Sequence, residues 1–270
     1  MTNLFSVKNK VIVLTGGSGI LGTSMVHHFA EQGAQVVILD KNEEAGQTLE
    51  HAVCANGGHA RFFYTDVLSK EELKRNYTDI MLNYGRIDVL INGAGGNMPG
   101  ATIPPDKTIF DLEIDAFKKV VDLNLFGTIL PSMVFSKAMV AQKKGSIINI
   151  ASESAIRPLT RVAGYGTAKA AVVNFTKYLA GELAIKFGEG LRVNAIAPGF
   201  FLTEQNRTLL TNPDGSHTER AKIILAHTPF GRFGEPDELL GTLQWLASDA
   251  SKFVTGTLTV IDGGFDAFSI

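Results

Sequence analysis

The sequence predicts an α/β protein with a single doubly wound, Rossmann-type domain, in which helices flank a parallel seven-stranded sheet. Short apolar runs rich in β-branched residues alternate with longer segments of helical period. Strands without polar alternation are typical of a parallel sheet that is covered on both faces. A chain of 270 residues with 45% hydrophobic content can bury a large core, and we expect one domain over residues 1–270.

Each predicted strand is a short apolar run, and each predicted helix is a longer amphipathic segment. The strands are predicted at VIVLT (11–15), QVVILD (35–40), HARFFYTD (59–66), IDVLIN (87–92), SIINIA (146–151), LRVNAIA (191–197) and GTLTVID (256–262). Helices are predicted near 20–32, 42–56, 69–84, 110–143, 164–187 and 235–248. Two long segments, 93–110 and 198–234, are expected to cover a ligand site, because ligands of open α/β sheets bind beyond the carboxyl ends of the strands.

The amino-acid composition indicates which classes of binding partner the protein is expected to lack. The formal net charge is −2, and no basic cluster suited to nucleic-acid phosphates is present. Cys54 is the only cysteine, so no intramolecular disulfide can form. The N-terminal segment lacks the apolar core of a signal peptide, and no apolar run reaches the roughly 18 residues of a membrane-spanning helix. We therefore expect a soluble cytoplasmic protein that acts on a small molecule, with no nucleic-acid partner, no membrane partner and no metal.

The first strand runs into the glycine-rich loop Thr15-GGSGILG. Gly17, Gly19 and Gly22 satisfy the pattern G-x-G-x-x-G between a predicted strand and a predicted helix. Glycines are needed there because the chain turns tightly and its amides must approach a pyrophosphate closely. The following helix offers free N–H groups and the positive end of its dipole to the anion. The loop predicts a dinucleotide site.

The second strand ends at Asp40, 18 positions after Gly22. A carboxylate at this place can accept hydrogen bonds from the adenosine ribose hydroxyls, whereas a 2′-phosphate would meet like charge. Asp40 therefore favours NAD, although the neighbouring Lys41 could soften the exclusion of NADP. The alternative is that Asp40 caps the next helix.

Three side chains form the predicted catalytic unit. Tyr165 and Lys169 are four residues apart in a helix-favouring run, so they project from the same helix face. Ser152 ends the predicted strand that precedes this helix. A hydroxyl, a phenol and an ammonium brought together beside a nicotinamide can transfer a proton to or from an oxygen of the substrate.

Over essentially its whole length the chain resembles the short-chain dehydrogenase/reductase family. The loop Thr15-GGSGILG resembles the family motif T-G-x-x-x-G-x-G, and Asn92-GAG resembles its N-A-G segment. Ser152, Tyr165 and Lys169 match its active-site spacing. Two residues depart from the pattern: Ile20 replaces the usual middle glycine, and Gly93 lies inside the N-A-G motif. We expect Ile20 to alter the path of the phosphate loop, because a branched side chain cannot adopt glycine-only dihedrals.

The resemblance implies further site residues. Asn124, in DLNLFG, resembles the helical asparagine of the family's proton relay, and Asp66-Val67 its adenine-contacting pair. Pro198-Gly199 and Thr203 resemble the loop that holds the nicotinamide carboxamide. The predicted catalytic residues are thus Asn124, Ser152, Tyr165 and Lys169. Cofactor binding is predicted for Gly16, Gly17, Ser18, Gly19, Ile20, Gly22, Asp40, Lys41, Asp66, Val67, Asn92, Gly93, Ala94, Tyr165, Lys169, Pro198, Gly199 and Thr203.

The roles of the catalytic residues follow from their chemistry. A phenol with a reference pKa near 10 is a poor base at neutral pH, so we expect the Lys169 ammonium and the oxidised nicotinamide to favour the phenolate. Tyr165 would exchange the proton with the substrate oxygen, and Ser152 would hydrogen-bond the same oxygen. Asn124 would hold a water that links Lys169 to solvent.

The substrate is predicted from the two covering segments. GAGGNMPGAT, APGFFLTEQNR, LLTNPDGS and ILAHTPFGRFG resemble the branch of D-mannonate oxidoreductases, also called fructuronate reductases, which act on sugar acids. A sugar acid needs a cation for its carboxylate and polar groups for its hydroxyls. Substrate binding is predicted for Asn97, Ser152, Glu153, Arg157, Asn206 and Arg207.

Other function classes stay open at this point. A gluconate dehydrogenase, a polyol dehydrogenase or a 3-oxoacyl-carrier reductase would use the same catalytic residues, and a non-catalytic nucleotide sensor would not need them. The resemblance implies a homotetramer formed through the long helices near 110–143 and 164–187.

Overall fold

A computed structural model describes residues 3–202 and 210–267 of the chain. Its strands form one seven-stranded sheet in the order β3-β2-β1-β4-β5-β6-β7, with every neighbouring pair parallel. The strands are β1 (Val11–Thr15), β2 (Gln35–Asp40), β3 (His59–Tyr64), β4 (Val89–Asn92), β5 (Gly145–Ile150), β6 (Leu191–Pro198) and β7 (Leu258–Ile261). The predicted doubly wound sheet is confirmed, and β1 and β2 have the predicted bounds.

Helices connect the parallel strands. They are α1 (Ile20–Glu31), α2 (Glu43–Ala55), α3 (Lys70–Tyr84), α4 (Ile114–Val121), α5 (Gly127–Gln142), α6 (Ala163–Phe187), α7 (Glu219–Ala226) and α8 (Leu240–Ala247). Two of the predicted helix starts are fixed by side-chain caps: Asn42 Oδ1 accepts from Ala45 N at 3.1 Å, and Ser69 Oγ accepts from Glu72 N at 3.3 Å. Helix α7 lies inside the segment 198–234, where the sequence predicted no helix.

The two faces of the sheet are buried by different helices. Along β1, Ile12 and Leu14 pack on the face covered by α1, α2 and α8, whereas Val11 and Val13 pack on the face covered by α3, α5 and α6. Successive side chains of a strand point to opposite faces, so a strand that is apolar throughout needs a helix layer on each side. This packing explains why the strands are apolar runs without polar alternation.

The segment Ile114–Gln142 is long and apolar enough to cross a membrane by length and composition, and 56% of its most apolar window is buried inside the protein. In α5, Phe135 and Met139 pack into the core with α3 and α6. The helical path is interrupted by a π-type turn at Asp122–Phe126, between α4 and α5. Such turns displace side chains relative to a regular helix and occur frequently at functional sites.

The order of the strands locates the site. The chain builds the sheet outward from β1 to β3 and then in the other direction from β4, so the loops after β1 and β4 diverge. Ligands of doubly wound sheets bind in the crevice that opens at such a switch point.

Candidate active site

The loop after β1 turns sharply toward α1. Gly16 has φ +68°, a conformation that favours glycine, and a Cβ on Gly22 would lie 2.3 Å from Gly16 O. The turn therefore needs glycine at both positions. Ile20, the residue expected to alter the loop, begins α1 after Gly19, which has the extended φ of −70°. Ile20 thus occupies a helical position that a branched residue can adopt, and the expected distortion is not present.

The loops after β1 and β4 pack backbone against backbone. Thr15 Oγ1 accepts hydrogen bonds from Gly93 N and Ala94 N, each at 3.2 Å. A Cβ on Gly16 would lie 2.8 Å from Ala94 N, and a Cβ on Gly93 would lie 2.8 Å from Thr15 O. The departure at Gly93 therefore matches a close approach of the two loops at the floor of the crevice.

Asp40 closes one end of the same crevice. Its carboxylate accepts from Ser18 N at 3.1 Å and from Asn42 N at 3.0 Å. These two bonds hold the carboxylate between the glycine loop and the start of α2. Asp40 and Lys41 both line the cleft, as a residue that contacts an adenosine ribose must.

The cleft has a volume of about 630 Å³. The predicted cofactor residues that line it are Gly16, Gly19, Ile20, Gly22, Asp40, Lys41, Asp66, Val67, Gly93, Ala94, Tyr165, Pro198 and Gly199. Glycine at positions 16 and 22 lets the backbone of the loop pack closely on itself and on Ala94, so that the loop lines the cleft without side chains in the way of a phosphate group, and Asp40 lines the same cleft. The residues present fit a dinucleotide.

Four residues predicted to bind the cofactor lie away from the cleft surface. Asn92 is 1% exposed, and its amide donates to Ser132 Oγ at 2.9 Å and Asn149 Oδ1 at 2.8 Å, so it joins β4 to β5 and α5. Gly17 and Ser18 direct their amides toward Leu39 O and Asp40. The fourth, Lys169, lies beneath the surface, and Thr203 lies outside the described residues.

Ser152 and Tyr165, two of the predicted catalytic residues, both line the cleft. Ser152 Oγ accepts from Ser154 N at 3.2 Å and from Ser154 Oγ at 3.0 Å. With its acceptor capacity used in this way, the Ser152 hydroxyl can donate its own proton. Burial raises the pKa of Tyr165, while the hydrogen bond from Ser152 acts in the opposite direction. The phenol is therefore protonated at neutral pH in the structure.

Lys169 lies behind Tyr165, with its Nζ atom 5.5 Å from the centre of the phenol ring. The side chain is 3% exposed, and Nζ donates to Ile150 O at 2.7 Å. Burial lowers the pKa of Lys169 to about 8, so the ammonium is still the predominant form at neutral pH. The spacing of four residues predicted that Lys169 lies beside Tyr165, and the hydrogen bond to Ile150 O at the end of β5 holds the lysine there.

The π-type turn places Asn124 beside this lysine. Asn124 is completely buried; its Nδ2 donates to Gly96 O at 2.7 Å and to Val120 O at 2.8 Å, and its Oδ1 accepts from Gly96 N at 3.1 Å. A Cβ on Gly95 would lie 2.6 Å from Asn124 Oδ1 and 3.2 Å from Lys169 Nζ. The two side chains therefore flank the same glycine, and the relay through Asn124 stays a prediction.

Arg157, a predicted substrate residue, makes an ion pair that the sequence did not predict. Its Nε donates to Asp266 Oδ1 at 2.8 Å, and its Nη2 contacts Asp266 O. The segment after β7 therefore engages this guanidinium, and the role of Arg157 in substrate binding stays a prediction. Asn97 is exposed and donates to Thr102 Oγ1 at 2.9 Å, which stabilises its own loop. Asn206 and Arg207 lie outside the described residues.

Glu153 occupies an unusual environment for a carboxyl group. It is 1% exposed, and neither carboxyl oxygen has a hydrogen-bond partner among the described residues. Burial, with the nearby Asp266 and Asp262, raises its pKa to about 7, although Arg157 acts in the opposite direction. Glu153 does not line the cleft, so the geometry does not support the direct substrate contact that the sequence suggested.

Several cleft residues were missed by sequence reasoning. Met98, Lys119, Leu123, Phe200 and Phe201 line the cleft. Apart from their place in the covering segments or the long helix, no motif marks them. Arg161 and Arg220, also missed, line a second cavity that shares Phe200 with the cleft.

Comparison with known proteins agrees with this site. A family model described as enoyl-(acyl carrier protein) reductase matches residues 17–266. The uncharacterized oxidoreductase UxuB of Bacillus subtilis (strain 168) is 44% identical over 274 residues, which cover 98% of this chain and 97% of that protein. A Haemophilus influenzae crystal structure, provisionally named a D-mannonate oxidoreductase and containing bound NAD, covers 99% of both chains at 40% identity and a TM-score of 0.92.

A second crystal structure broadens the comparison. A gluconate 5-dehydrogenase from Burkholderia cenocepacia J2315, in complex with NADP and tartrate, covers 98% of both chains at 31% identity and a TM-score of 0.87. One conclusion follows from these matches, together with the glycine loop and the arrangement of Ser152, Tyr165 and Lys169. The chain is an oxidoreductase that belongs to the short-chain dehydrogenase/reductase family.

Proposed function

We propose that the protein is an NAD(H)-dependent oxidoreductase that interconverts a ketone and a secondary alcohol on a sugar acid, D-fructuronate and D-mannonate being the pair. The observation that carries the proposal is the contact of Ser152 with Tyr165 in a cleft that also holds the glycine loop and Asp40. In this proposal residues 1–270 form a single NAD(P)-binding catalytic domain.

Tyr165 transfers the proton. In reduction the ketone oxygen gains the phenol proton while the carbonyl carbon gains a hydride, which gives the secondary alcohol. When bound, the nicotinamide supplies that hydride. Because burial raises the pKa of Tyr165, the protein without cofactor holds the phenol in the form that donates a proton. In oxidation the phenolate accepts the alcohol proton, and a positive charge nearby favours that form.

The neighbouring residues prepare Tyr165 and the substrate. Ser152 donates a hydrogen bond to the substrate oxygen and so stabilises the charge that develops on it. Lys169 keeps an ammonium 5.5 Å from the phenol ring, which favours the phenolate when Tyr165 loses its proton. Asn124 fixes the turn around Gly95 and Gly96 against which Lys169 packs.

NAD is the cofactor that the cleft favours. The Asp40 carboxylate is held by Ser18 N and Asn42 N, so it cannot readily move away from a 2′-phosphate. The similar Haemophilus influenzae structure contains NAD. Lys41 lines the cleft next to Asp40 and is the residue that could admit NADP.

Support for the sugar acid comes from the likeness to the provisionally named D-mannonate oxidoreductase. A second candidate is gluconate 5-dehydrogenase activity, which is supported by the structure from Burkholderia cenocepacia with its bound dicarboxylate, tartrate. Both substrates are six-carbon polyhydroxylated acids that react at carbon 5, so the two candidates agree on the class of ligand, and D-mannonate and D-gluconate differ in the configuration at carbon 2.

We further propose a cytoplasmic homotetramer that assembles through α4, α5 and α6. Large apolar side chains are exposed on these helices: Met133 is 53% exposed, Tyr178 65% and Ile185 86%. Contiguous exposed apolar surface is typical of an interface. Light scattering at increasing protein concentration tests this assembly, and a monomer at all concentrations would overturn it.

The proposed activity is tested by a panel of substrates. D-Mannonate, D-gluconate, D-mannitol and glycerol are offered with NAD and with NADP, with Tyr165→Phe as the inactive control. We expect D-mannonate with NAD to give the highest kcat/KM. A higher value for D-gluconate would favour the second candidate, and turnover of the neutral polyols alone would reject both acids.

A further inference from the structure

A second cavity adjoins the catalytic cleft. It has a volume of about 420 Å³ and is walled by the turn at Pro158–Arg161, by α7 and by Phe265. Phe200 lines both this cavity and the cleft that contains Ser152 and Tyr165, and its ring lies edge-on to Phe265, with the ring centres 5.2 Å apart. The catalytic cleft and the second cavity are therefore neighbours, and Phe200 forms part of the wall of both.

Two arginines, Arg161 and Arg220, line this cavity. Neither Arg161 nor Arg220 belongs to any ion pair of residues 3–202 and 210–267. Glu219 also lines the cavity, but its Oε1 lies 2.6 Å from Lys222 Nζ. Both burial and the charge of Arg161 lower the pKa of Arg220. Partly buried charges are ordinarily paired, so the arrangement leaves room for an anion.

Both arginines are held in unfavourable positions. Arg161 has φ +77°, a region that a residue with a Cβ rarely adopts, and its carbonyl accepts from Ile103 N at 3.0 Å in the segment 93–110. Arg220 lies in the first turn of α7, where the helix dipole disfavours a cation. Its one side-chain hydrogen bond among the described residues, to Thr160 Oγ1, is long at 3.4 Å. An anion between the two guanidiniums would relieve the repulsion.

We propose that Arg161 and Arg220 bind the carboxylate of the substrate, in a subsite that meets the catalytic cleft at Phe200. This assignment rests on the proposed function, since it takes the ligand to be a sugar acid whose ketone lies at Tyr165. It replaces Arg157, which Asp266 engages. Guanidinium groups bind carboxylates with two parallel hydrogen bonds, and two such groups around one carboxylate select an acid over the neutral sugar of the same shape.

The test compares an acid with its neutral counterpart. D-Fructuronate and D-fructose carry the same reacting ketone and differ in a terminal carboxylate against a hydroxymethyl group. Arg161→Gln and Arg220→Gln are assayed on both, with NADH, beside Arg157→Gln and beside Arg75→Gln on the exposed face of α3. We expect each cavity variant to lose roughly 10- to 150-fold in kcat/KM on D-fructuronate and little on D-fructose. Thermal unfolding and NADH binding show that each variant is folded.

The outcomes separate the subsite from the function. If the wild type reduces D-fructuronate and the two cavity variants lose activity equally on the acid and on the ketose, the subsite is rejected and the function stands. If only Arg157→Gln loses activity selectively on the acid, the carboxylate binds there instead. If the wild type reduces no sugar acid, including 5-keto-D-gluconate, the proposed function fails, and the assignment of a substrate carboxylate fails with it. A cavity variant that does not fold is replaced by Arg161→Lys or Arg220→Lys, for which we expect a smaller but still acid-selective loss.

Discussion

The cofactor side and the substrate side of the cleft are built in different ways. On the cofactor side, Gly16 and Gly22 shape one turn within the same loop, and Asp40 binds that loop directly through Ser18 N. On the proposed substrate side, Arg161, Phe200 and Arg220 come from three separate segments that meet only in the folded chain. The first region is specified by backbone conformation over a short stretch of sequence. The second region is specified by tertiary contacts between side chains that are distant in sequence.

This difference explains what the sequence could predict. The strands, the glycine loop and the spacing of Tyr165 and Lys169 follow from local rules of periodicity and conformation. The pairing of Arg157 with Asp266 joins residues 109 positions apart, and no local pattern records it. The sequence therefore could not show that Arg157 is paired, because an unpaired arginine and a paired one have the same sequence signature.

Two further differences have the same origin. Asn92 belongs to a recognisable motif, yet the structure uses its amide to join Ser132 and Asn149 inside the core. Helix α7 begins at Thr218, whose hydroxyl accepts a hydrogen bond from Ala221 N at 3.2 Å. The sequence predicted no helix there, because the apolar face of α7 is short. Tertiary contacts in the folded chain determine both the role of Asn92 and the presence of helix α7.

The largest expected effect is a loss of turnover on substitution of Tyr165, and it tests the assignment of Tyr165 as the proton donor. Tyr165→Phe keeps the ring in place and removes the proton that reduction requires, so we expect turnover to fall by about 10²- to 10⁴-fold while the affinity for NADH is unchanged. Steady-state rates and fluorescence titration of NADH measure the two quantities. Activity within about threefold of the wild type would contradict the role of Tyr165.

The next effect concerns the cofactor side. Asp40→Asn removes the charge but keeps an oxygen for Ser18 N, so we expect the ratio of kcat/KM for NADH over NADPH to fall by roughly 10- to 150-fold. Asp40→Ala should reduce the ratio at least as far. Lys41→Ala is the counterpart, and it should raise the ratio. A wild type that prefers NADPH would show that Lys41 outweighs Asp40.

A backbone variant sharpens the claim that conformation specifies the cofactor side. A Cβ on Gly22 would lie 2.3 Å from Gly16 O, so Gly22→Ala must displace the phosphate loop. Overpacking of this kind costs about 1–3 kcal/mol, and we expect the Kd for NADH to rise by roughly 5- to 150-fold. Gly241→Ala in α8 is the control, because its added Cβ meets nothing within 4 Å. Equal NADH affinities in the two variants would count against the geometric argument.

The smallest effect concerns stability on the substrate side. Glu153 has a pKa of about 7 in the folded protein against an ordinary value of 4.5, so between these pH values the folded chain binds more protons than the unfolded chain. The stability associated with the neutral carboxyl is fully present below pH 4.5 and is lost as the pH rises to about 7.

Glu153→Gln isolates this effect, because the amide has the shape of the neutral carboxyl and does not ionise. We expect the variant to match the wild type in melting temperature at pH 5 and to exceed it by several degrees at pH 8. Glu31→Gln, at the exposed end of α1, should follow the wild type at both pH values. A variant that is equally destabilised at pH 5 and pH 8 would mean that Glu153 is charged and satisfied in the folded protein.

The central claim is that the substrate side selects a sugar acid for reduction by Tyr165. The most direct measurement is a competition experiment. The wild type oxidises NADH in the presence of a mixture of D-fructuronate and D-fructose, and the amounts of the two alcohol products are quantified. The account predicts that D-mannonate exceeds D-mannitol by at least the roughly tenfold factor of a single charge-assisted contact. Equal amounts of the two products, or an excess of D-mannitol, would contradict it.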